Sequence, residues 1–312
     1  MSSAFPLLRL PRLVLFDVFK SLSIGEKIKL SLCSMKISAQ INNCRLYSQK
    51  VHVHLDMDSH KIEVSETGKD KFNIFNWSDS GINTNRQPYQ IEGRTVTVIS
   101  YPEDITAFWK NDREGFLSAI RHLSKMFQCK FSTDISHYHR NSYKLKISEL
   151  FNLQLEFKRL TIHLNVSKDQ NWLWNQISSN FGLVEYLRIF PIVNPTFTPV
   201  FTSWPQKISI TSSAWFTQEH LLACTSTTIT LLQSHLENKD FDEILQKWKA
   251  GGFPTLKCLT IFSQNITSFG ATILGMNLRE LNEMIIQTDD GSKKATIKTY
   301  AQSLEMYVTP FE

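Results

Sequence analysis

Residues 227–261 read TTITLLQSHLENKDFDEILQKWKAGGFPTLKCLTI, and this stretch decides the fold. Ile229 and Leu231 flank Thr230, the alternation expected of a strand with one buried face. The same pattern returns at Leu259-Thr260-Ile261. Between the two, Phe241, Ile244, Leu245 and Trp248 fall at i, i+3, i+4 and i+7, the apolar stripe of a helix. Asp240, Asp242 and Glu243 stand at its start and Lys247 and Lys249 near its end, and both placements complement the helix dipole. Gly251-Gly252 then ends the helix. A strand, a helix and a second strand follow one another.

Working outward, the strand pattern recurs upstream at Leu160-x-Ile162, Leu187-x-Ile189 and Ile208-x-Ile210. The five strands begin 27, 21, 21 and 30 residues apart. Helical or turn-like segments fill the gaps, among them Gln170 to Ser178 with Trp172, Leu173 and Ile177. Spacings of this size with one strand per unit predict an irregular leucine-rich-repeat-like strand/helix array. A single α/β or α+β domain with several similar strands is the alternative. Asp289-Asp290-Gly291-Ser292, between Ile285-Ile286 and Ala295-Ile297, predicts a hairpin turn.

If the paired apolar residues of these strands face inward, the residues between them share the opposite face. That face would carry Thr161, His163, Arg188, Phe190, Ser209, Thr230, Leu232, Thr260 and Phe262. Of these, His163, Arg188, Phe190, Thr230, Leu232 and Phe262 are the candidate substrate-binding residues, with Phe190, Leu232 and Phe262 expected to form an apolar patch beside Arg188. The competing expectation is that a helix, or the N-terminal half of the chain, covers this face.

Upstream of the array the pattern is different. Leu15, Val18, Phe19 and Leu22 make one face of a helix opened by Leu10-Pro11. Ser23 and Glu26 have capping-box spacing for a second helix carrying Ile24, Ile28 and Leu32. Ser34 begins a third with Ile37 and Ile41, and Asn42-Asn43 ends it. Three helices in about 40 residues cannot bury a self-sufficient core. Their surplus apolar surface must meet the rest of the chain or another protein. Val51, Val53 and Leu55 then alternate with His52, His54 and Asp56 as a strand, and Ile62 and Val64 suggest another. A polar loop is expected from Asp79 to Gln87, an extended stretch from Thr95 to Ser100, and a helix begun by Asn111 and Glu114 with Phe116, Ile120, Leu123 and Phe127 along one side.

Two stretches resemble known families. The series Leu10-Pro11, Val14-Leu15, Val18-Phe19, Leu22-Ser23, Leu30-Ser31 and Ser34, over roughly residues 5–46, resembles an F-box. The forms FPLLRLP and LSLCSMKI are similar to the nematode F-box expansion in particular. The span Thr227–Ile261, with QKWKAG at its centre, resembles the type 2 associated domain that follows such F-boxes. The resemblance implies an F-box at 1–46 and an associated α/β domain at 47–312. It further implies that Leu10, Pro11, Val14, Leu15, Val18, Phe19, Leu22 and Leu30 bind a Skp-family adaptor. Through that adaptor the chain would join a cullin-RING ubiquitin ligase, with the second domain capturing a protein substrate.

Composition bounds the remaining possibilities. The 312 residues are 42% hydrophobic and 20% charged, as expected of a folded soluble domain. The net charge of +5 is dispersed, without the dense basic stripe and interleaved aromatics of a nucleic-acid binder. Five cysteines, Cys33, Cys44, Cys129, Cys224 and Cys258, show no CxxC pair, which argues for reduced thiols in the cytoplasm or nucleus. No signal peptide or membrane span is expected. No phosphate loop, GxSxG elbow or HExxH is present. Gly68-Lys69 continues into Asp70, which lacks the hydroxyl such a loop needs. His52 with His54, and His137-Tyr138-His139, are weak metal candidates lacking a third ligand, and Cys224 after His220 is a weak nucleophile candidate. The expectation is a non-catalytic protein without cofactor or metal. A scaffold whose N-terminal helices cap its own repeat array is the second reading, and a cryptic hydrolase the third.

Overall fold

Pro11 and two serines set where the N-terminal helices begin in the computed structural model, which describes residues 7–44, 50–66, 71–79, 86–136, 146–163, 170–190 and 199–310. A 3₁₀ turn at Leu7–Arg9 precedes α1 (Arg12–Ser21), which starts directly after Pro11. Ser23 caps α2 (Ile24–Cys33): its hydroxyl accepts from the Glu26 N–H at 3.2 Å, and the Glu26 carboxylate accepts from the Ser23 N–H at 2.7 Å. This is the reciprocal bonding expected from the spacing. Ser34 accepts from the Lys36 N–H and starts α3 (Met35–Asn43).

The chain divides into two compact units, Met1–Asp134 with Asn152–Glu156, and Ile135–Phe151 with Phe157–Glu312. The three helices therefore belong to a unit that extends well past the expected boundary at residue 46. Its strands are β1 (Val51–Asp56), β2 (Lys61–Glu66), β3 (Lys71–Ser78), β4 (Gln87–Ile91), β5 (Arg94–Ser100) and β6 (Asp104–Trp109). After α4 (Asp112–Phe127) comes β7 (Phe131–Ser136). They lie in the order β7-β1-β2-β3-β6-β5-β4, with β1/β7 and β3/β6 parallel and the other pairs antiparallel. The alternation at β1 and β2 and the extended stretch at β5 are where the sequence places them; β3, β4, β6 and β7 are additional. The expected loop ends where β4 begins, and its residues 80–85, like 68–70 and 137–139, lie outside the described residues.

Two glycines let helices reach this sheet. The Asn111 side chain caps α4, and Phe116, Ile120, Leu123 and Phe127 are buried, as the stripe predicts. A Cβ on Gly115 of α4 would stand 2.2 Å from the Trp109 ring, and one on Gly25 of α2 would stand 2.5 Å from the Phe72 ring. Helix α2 lies against β2, β3 and β4, and α3 against α4. Lys27 and Glu66, both buried, approach to 3.9 Å. The Ser31 hydroxyl donates to Ile28 O at 2.6 Å, so its oxygen accepts from His122 Nε2, 2.8 Å away on α4.

The second unit contains α5 (Lys146–Asn152), β8 (Phe157–His163), α6 (Gln170–Ile177), β9 (Val184–Phe190), β10 (Lys207–Ile210), α7 (Gln218–Ala223), β11 (Thr228–Ser234), α8 (Asn238–Lys249) and β12 (Cys258–Ser263). It closes with β13 (Ile285–Gln287), β14 (Lys293–Tyr300) and β15 (Ser303–Pro310). Strands β8 to β12 are parallel and adjacent in chain order. Antiparallel β15, β14 and β13 continue from β12, and the turn before Lys293 lies where a hairpin is predicted.

The repeated apolar pairs come into register. Leu160, Leu187, Ile208, Ile229 and Leu259 form one row across the five strands, and Ile162, Ile189, Ile210, Leu231 and Ile261 form the next. Every one of these ten is buried. At roughly 1.5–3 kcal/mol per fully buried branched side chain, these rows are a substantial part of the unit's core. Phe241, Ile244, Leu245 and Trp248 of α8 are buried together, as the helical stripe predicts. Trp174, Phe201, Trp204, Trp215 and Phe216 form an aromatic cluster that fixes the connections around β10, with Phe201 stacked 4.1 Å from Trp204.

Two measurements test these contacts. Gly115→Ala gains helix propensity yet drives a methyl into Trp109. A net destabilisation of about 1–3 kcal/mol is expected, read as a lower urea midpoint. Burial holds the His122 imidazole below its ordinary value of 6.5, and Glu92 opposes the shift only in part. The unfolded chain therefore takes up this proton at a higher pH than the folded one. Stability should be fully present above about pH 6.5 and fall as the pH drops below it. Urea midpoints between about pH 7.5 and 5 should show this slope, and His122→Gln should reduce it.

Candidate interaction surfaces

Helix α1 presents two sides. Leu15 and Phe19 are buried, Phe19 completely, and they hold the helix to its own unit. Leu13 is 78% exposed, Val14 46% and Leu8 43%, and Pro11 is also exposed. Leu10, Val18, Leu22 and Leu30 are half-buried. The residues expected to meet an adaptor are thus divided. Pro11 and Val14 lie outward, four are partly accessible, and Leu15 and Phe19 are corrected to core positions, because their side of the helix is already filled. Leu13, which lies outside the face of Leu15, Val18, Phe19 and Leu22, is far more exposed than Val14 or Leu8. Met35 at the start of α3 is exposed as well.

The second surface is the open face of the parallel array. Strand alternation and register place three rows there. Arg159, Tyr186, Lys207, Thr228 and Cys258 form the lower row. Thr161, Arg188, Ser209, Thr230 and Thr260 form the middle row. His163 and Phe190 begin the upper row; farther along, Leu232 follows Leu231 on β11, at the register shift between Leu231 and Ser234, and Phe262 follows Ile261 on β12. His163 stacks on Phe190 at 4.5 Å with the rings 2° apart, and the Arg188 guanidinium lies 5.1 Å from the Phe190 centroid. The candidates His163, Arg188 and Phe190 are therefore brought together. Leu232 and Phe262 are not part of the same patch, since β10 intervenes and adjacent strands stand about 4.8 Å apart. Phe262 is 46% exposed, Thr161 is buried and the other candidates are half-buried. Arg159 and Lys207, two cations of this face, are absent from the sequence-derived candidates, because the apolar repeat marks only the strand centres.

Reactive chemistry finds little support. Burial pushes all five cysteine thiols up, Cys129 to about 12. A raised thiol carries little thiolate, the nucleophilic form. Cys224 is buried, and the nearby His220 is engaged with Thr217 and with the Pro199 carbonyl rather than with sulfur. His54 lies 4.0 Å from Asp134. Among the described residues no group of three or more His, Cys, Asp or Glu side chains converges as a metal site would require. No helix among them is long and apolar enough to cross a membrane.

Residues 197–261 match the model of a family described as F-box associated. No curated protein and no solved structure matches the chain. The matched span runs through β10, α7, β11 and α8 to Ile261 in β12, and it contains the stretch from Thr227 onward. The centre of the parallel array is thus similar to the F-box-associated family.

Proposed function

We propose that this chain is the substrate-recognition subunit of a Skp–cullin–F-box ubiquitin ligase, of the nematode F-box type, acting in the cytoplasm or nucleus. The observation that carries the reading is the apolar surface at the start of α1, where Leu13 and Val14 of its first turn stand exposed beside Pro11 and Leu8 of the preceding turn, while Leu15 and Phe19 are packed. Exposed apolar residues gathered in this way favour a protein partner. The F-box-associated match at 197–261 supports the same context. In this reading a Skp-family adaptor covers the outward side of α1, and the strand/helix array, leucine-rich-repeat-like in its sequence spacing, holds a protein substrate on its open face. The chain's own contribution is proximity: tethering makes ubiquitin transfer from the assembled ligase effectively intramolecular. No side chain of this protein then needs to be catalytic, and no cofactor enters.

One observation favours a second reading. Helix α2 is seated on strands of its own unit through Gly25 against Phe72, the Lys27–Glu66 pair and the Ser31–His122 bond. The expected scaffold capped its repeat array, whereas β2, β3 and β4 belong to the first unit, so what this packing favours is a scaffold whose helices cap only their own unit. Co-expression with a Skp adaptor, followed by size-exclusion chromatography, separates the two. A stable complex is expected, and Leu13→Glu combined with Val14→Glu should reduce it by about tenfold or more without lowering the unfolding midpoint. Leu15→Ala should instead destabilise the fold by about 2–5 kcal/mol. A folded monomer that never binds the adaptor would establish the scaffold.

A further inference from the structure

The open face of the parallel array is electrically lopsided. Arg159 and Lys207 flank Tyr186 in the lower row, and Arg188 sits one row above, on the strand between them. The three cations thus lie on consecutive strands, with Arg159 and Lys207 about 10 Å apart across the sheet. Among the described residues, no ion pair joins a carboxylate to any of the three. The strands β8 to β12 contain a single acidic residue, Glu185, which neighbours Tyr186 and so alternates onto the opposite side. Glu305 of β15 stands opposite Thr260, four strands from Arg188, and it already accepts from the Tyr307 hydroxyl at 2.7 Å. Arg159 Nε is buried without a hydrogen-bond partner. Hydroxyls of Thr161, Ser209, Thr228 and Thr230 surround the cations. Like charges gathered this closely without counter-charge favour an anionic partner, and guanidinium groups hold carboxylates through paired, geometrically specific bonds.

The same face discriminates between classes of anion. The upper row offers one aromatic pair, and it is already occupied, with His163 stacked against Phe190 and Arg188 lying over it. Tyr186 is the single ring between Arg159 and Lys207, where a nucleic acid would want successive rings on which to stack its bases. The face continues instead toward Leu232 and exposed Phe262, which suit an apolar side chain. From Arg188 to Phe262 is three strands across and one row up, about 16 Å, or about five residues of extended chain.

We infer that this face captures an extended protein segment whose Asp or Glu side chains sit on Arg159, Arg188 and Lys207, with an apolar residue about five positions away against Leu232 and Phe262. The inference rests on the substrate-capturing role proposed above and specifies the class of segment captured.

The test is fluorescence anisotropy of the full chain with a labelled peptide bearing a glutamate run about five residues from a leucine. Its counterparts carry glutamine in place of glutamate, or the leucine replaced by serine. The glutamate peptide should bind at least about tenfold more tightly than the glutamine one, and the serine peptide should be weaker than its parent. Arg188→Glu and, separately, Lys207→Glu should each weaken binding by about tenfold, while Lys239→Glu on α8 should leave it unchanged. Lys207 is exposed, so its variant is expected to fold even if Arg188→Glu does not. Equal binding of glutamate and glutamine peptides, indifference to both charge reversals, or tighter binding of an oligouridine of equal charge would each overturn the assignment. Adaptor co-purification is measured on the same proteins. Adaptor binding without peptide selectivity rejects this face alone, whereas peptide selectivity without adaptor binding rejects the ligase reading and leaves the face standing.

Discussion

Register across the parallel strands is the constraint on which the second unit depends. Because side chains alternate with a period of two, a slip of one residue would turn every Ile and Leu of the two buried rows outward. The strand starts are tied in step to prevent this. The Gln206 N–H donates to Val184 O, the Thr227 N–H to Gln206 O and the Lys257 N–H to Thr227 O. Side chains repeat the tie: Ser226 donates to Pro205 O and Thr255 to Thr225 O. With one face committed to Leu160, Ile189, Leu231 and their neighbours, the other face is left to polar and aromatic residues. The position of the cations on it follows from the register and from nothing else.

The first unit solves a different problem. A small helical cluster must be held firmly and still offer surface. Helix α2 is held by close approach: Gly25 allows the Phe72 ring to within van der Waals distance, and Lys29 reaches the Tyr101 carbonyl. Helix α1 is held by Leu15 and Phe19 alone among its fully buried side chains. Leu13 and Leu15 are only two positions apart, yet at 100° per residue they point to opposite sides. One is therefore core and the other exposed, and the division between folding and recognition runs along a single helix.

These two surfaces share a chemical character. Both offer apolar side chains or charge, and among the described residues neither sets a nucleophile beside a base. The thiols are pushed up by burial, and His122 is spent on a structural hydrogen bond between α2 and α4. In the proposed reading the chain contributes position, in keeping with the similarity of residues 197–261 to the F-box-associated family.

The local elements were legible in the sequence wherever one rule acted alone. Capping chemistry at Ser23, Ser34 and Asn111, the stripe of α8, and the alternating pairs of β8 to β12 each depend only on neighbours in the chain, so spacing reveals them. Strands β3, β4 and β6 were not legible although each pairs with a strand next to it in the chain, because their alternation is broken by Trp77, Pro88 and Trp109. Which side of α1 would be exposed was equally hidden. The pattern marks Leu15 and Phe19 as apolar, but only the packed unit decides that they are consumed internally while Leu13 is left in water. The sequence alone thus determined the helices, the repeating strands and the direction each side chain takes from its own backbone. The tertiary structure alone decided which of those side chains find a neighbour, because burial is a property of surfaces brought together from far apart in the chain.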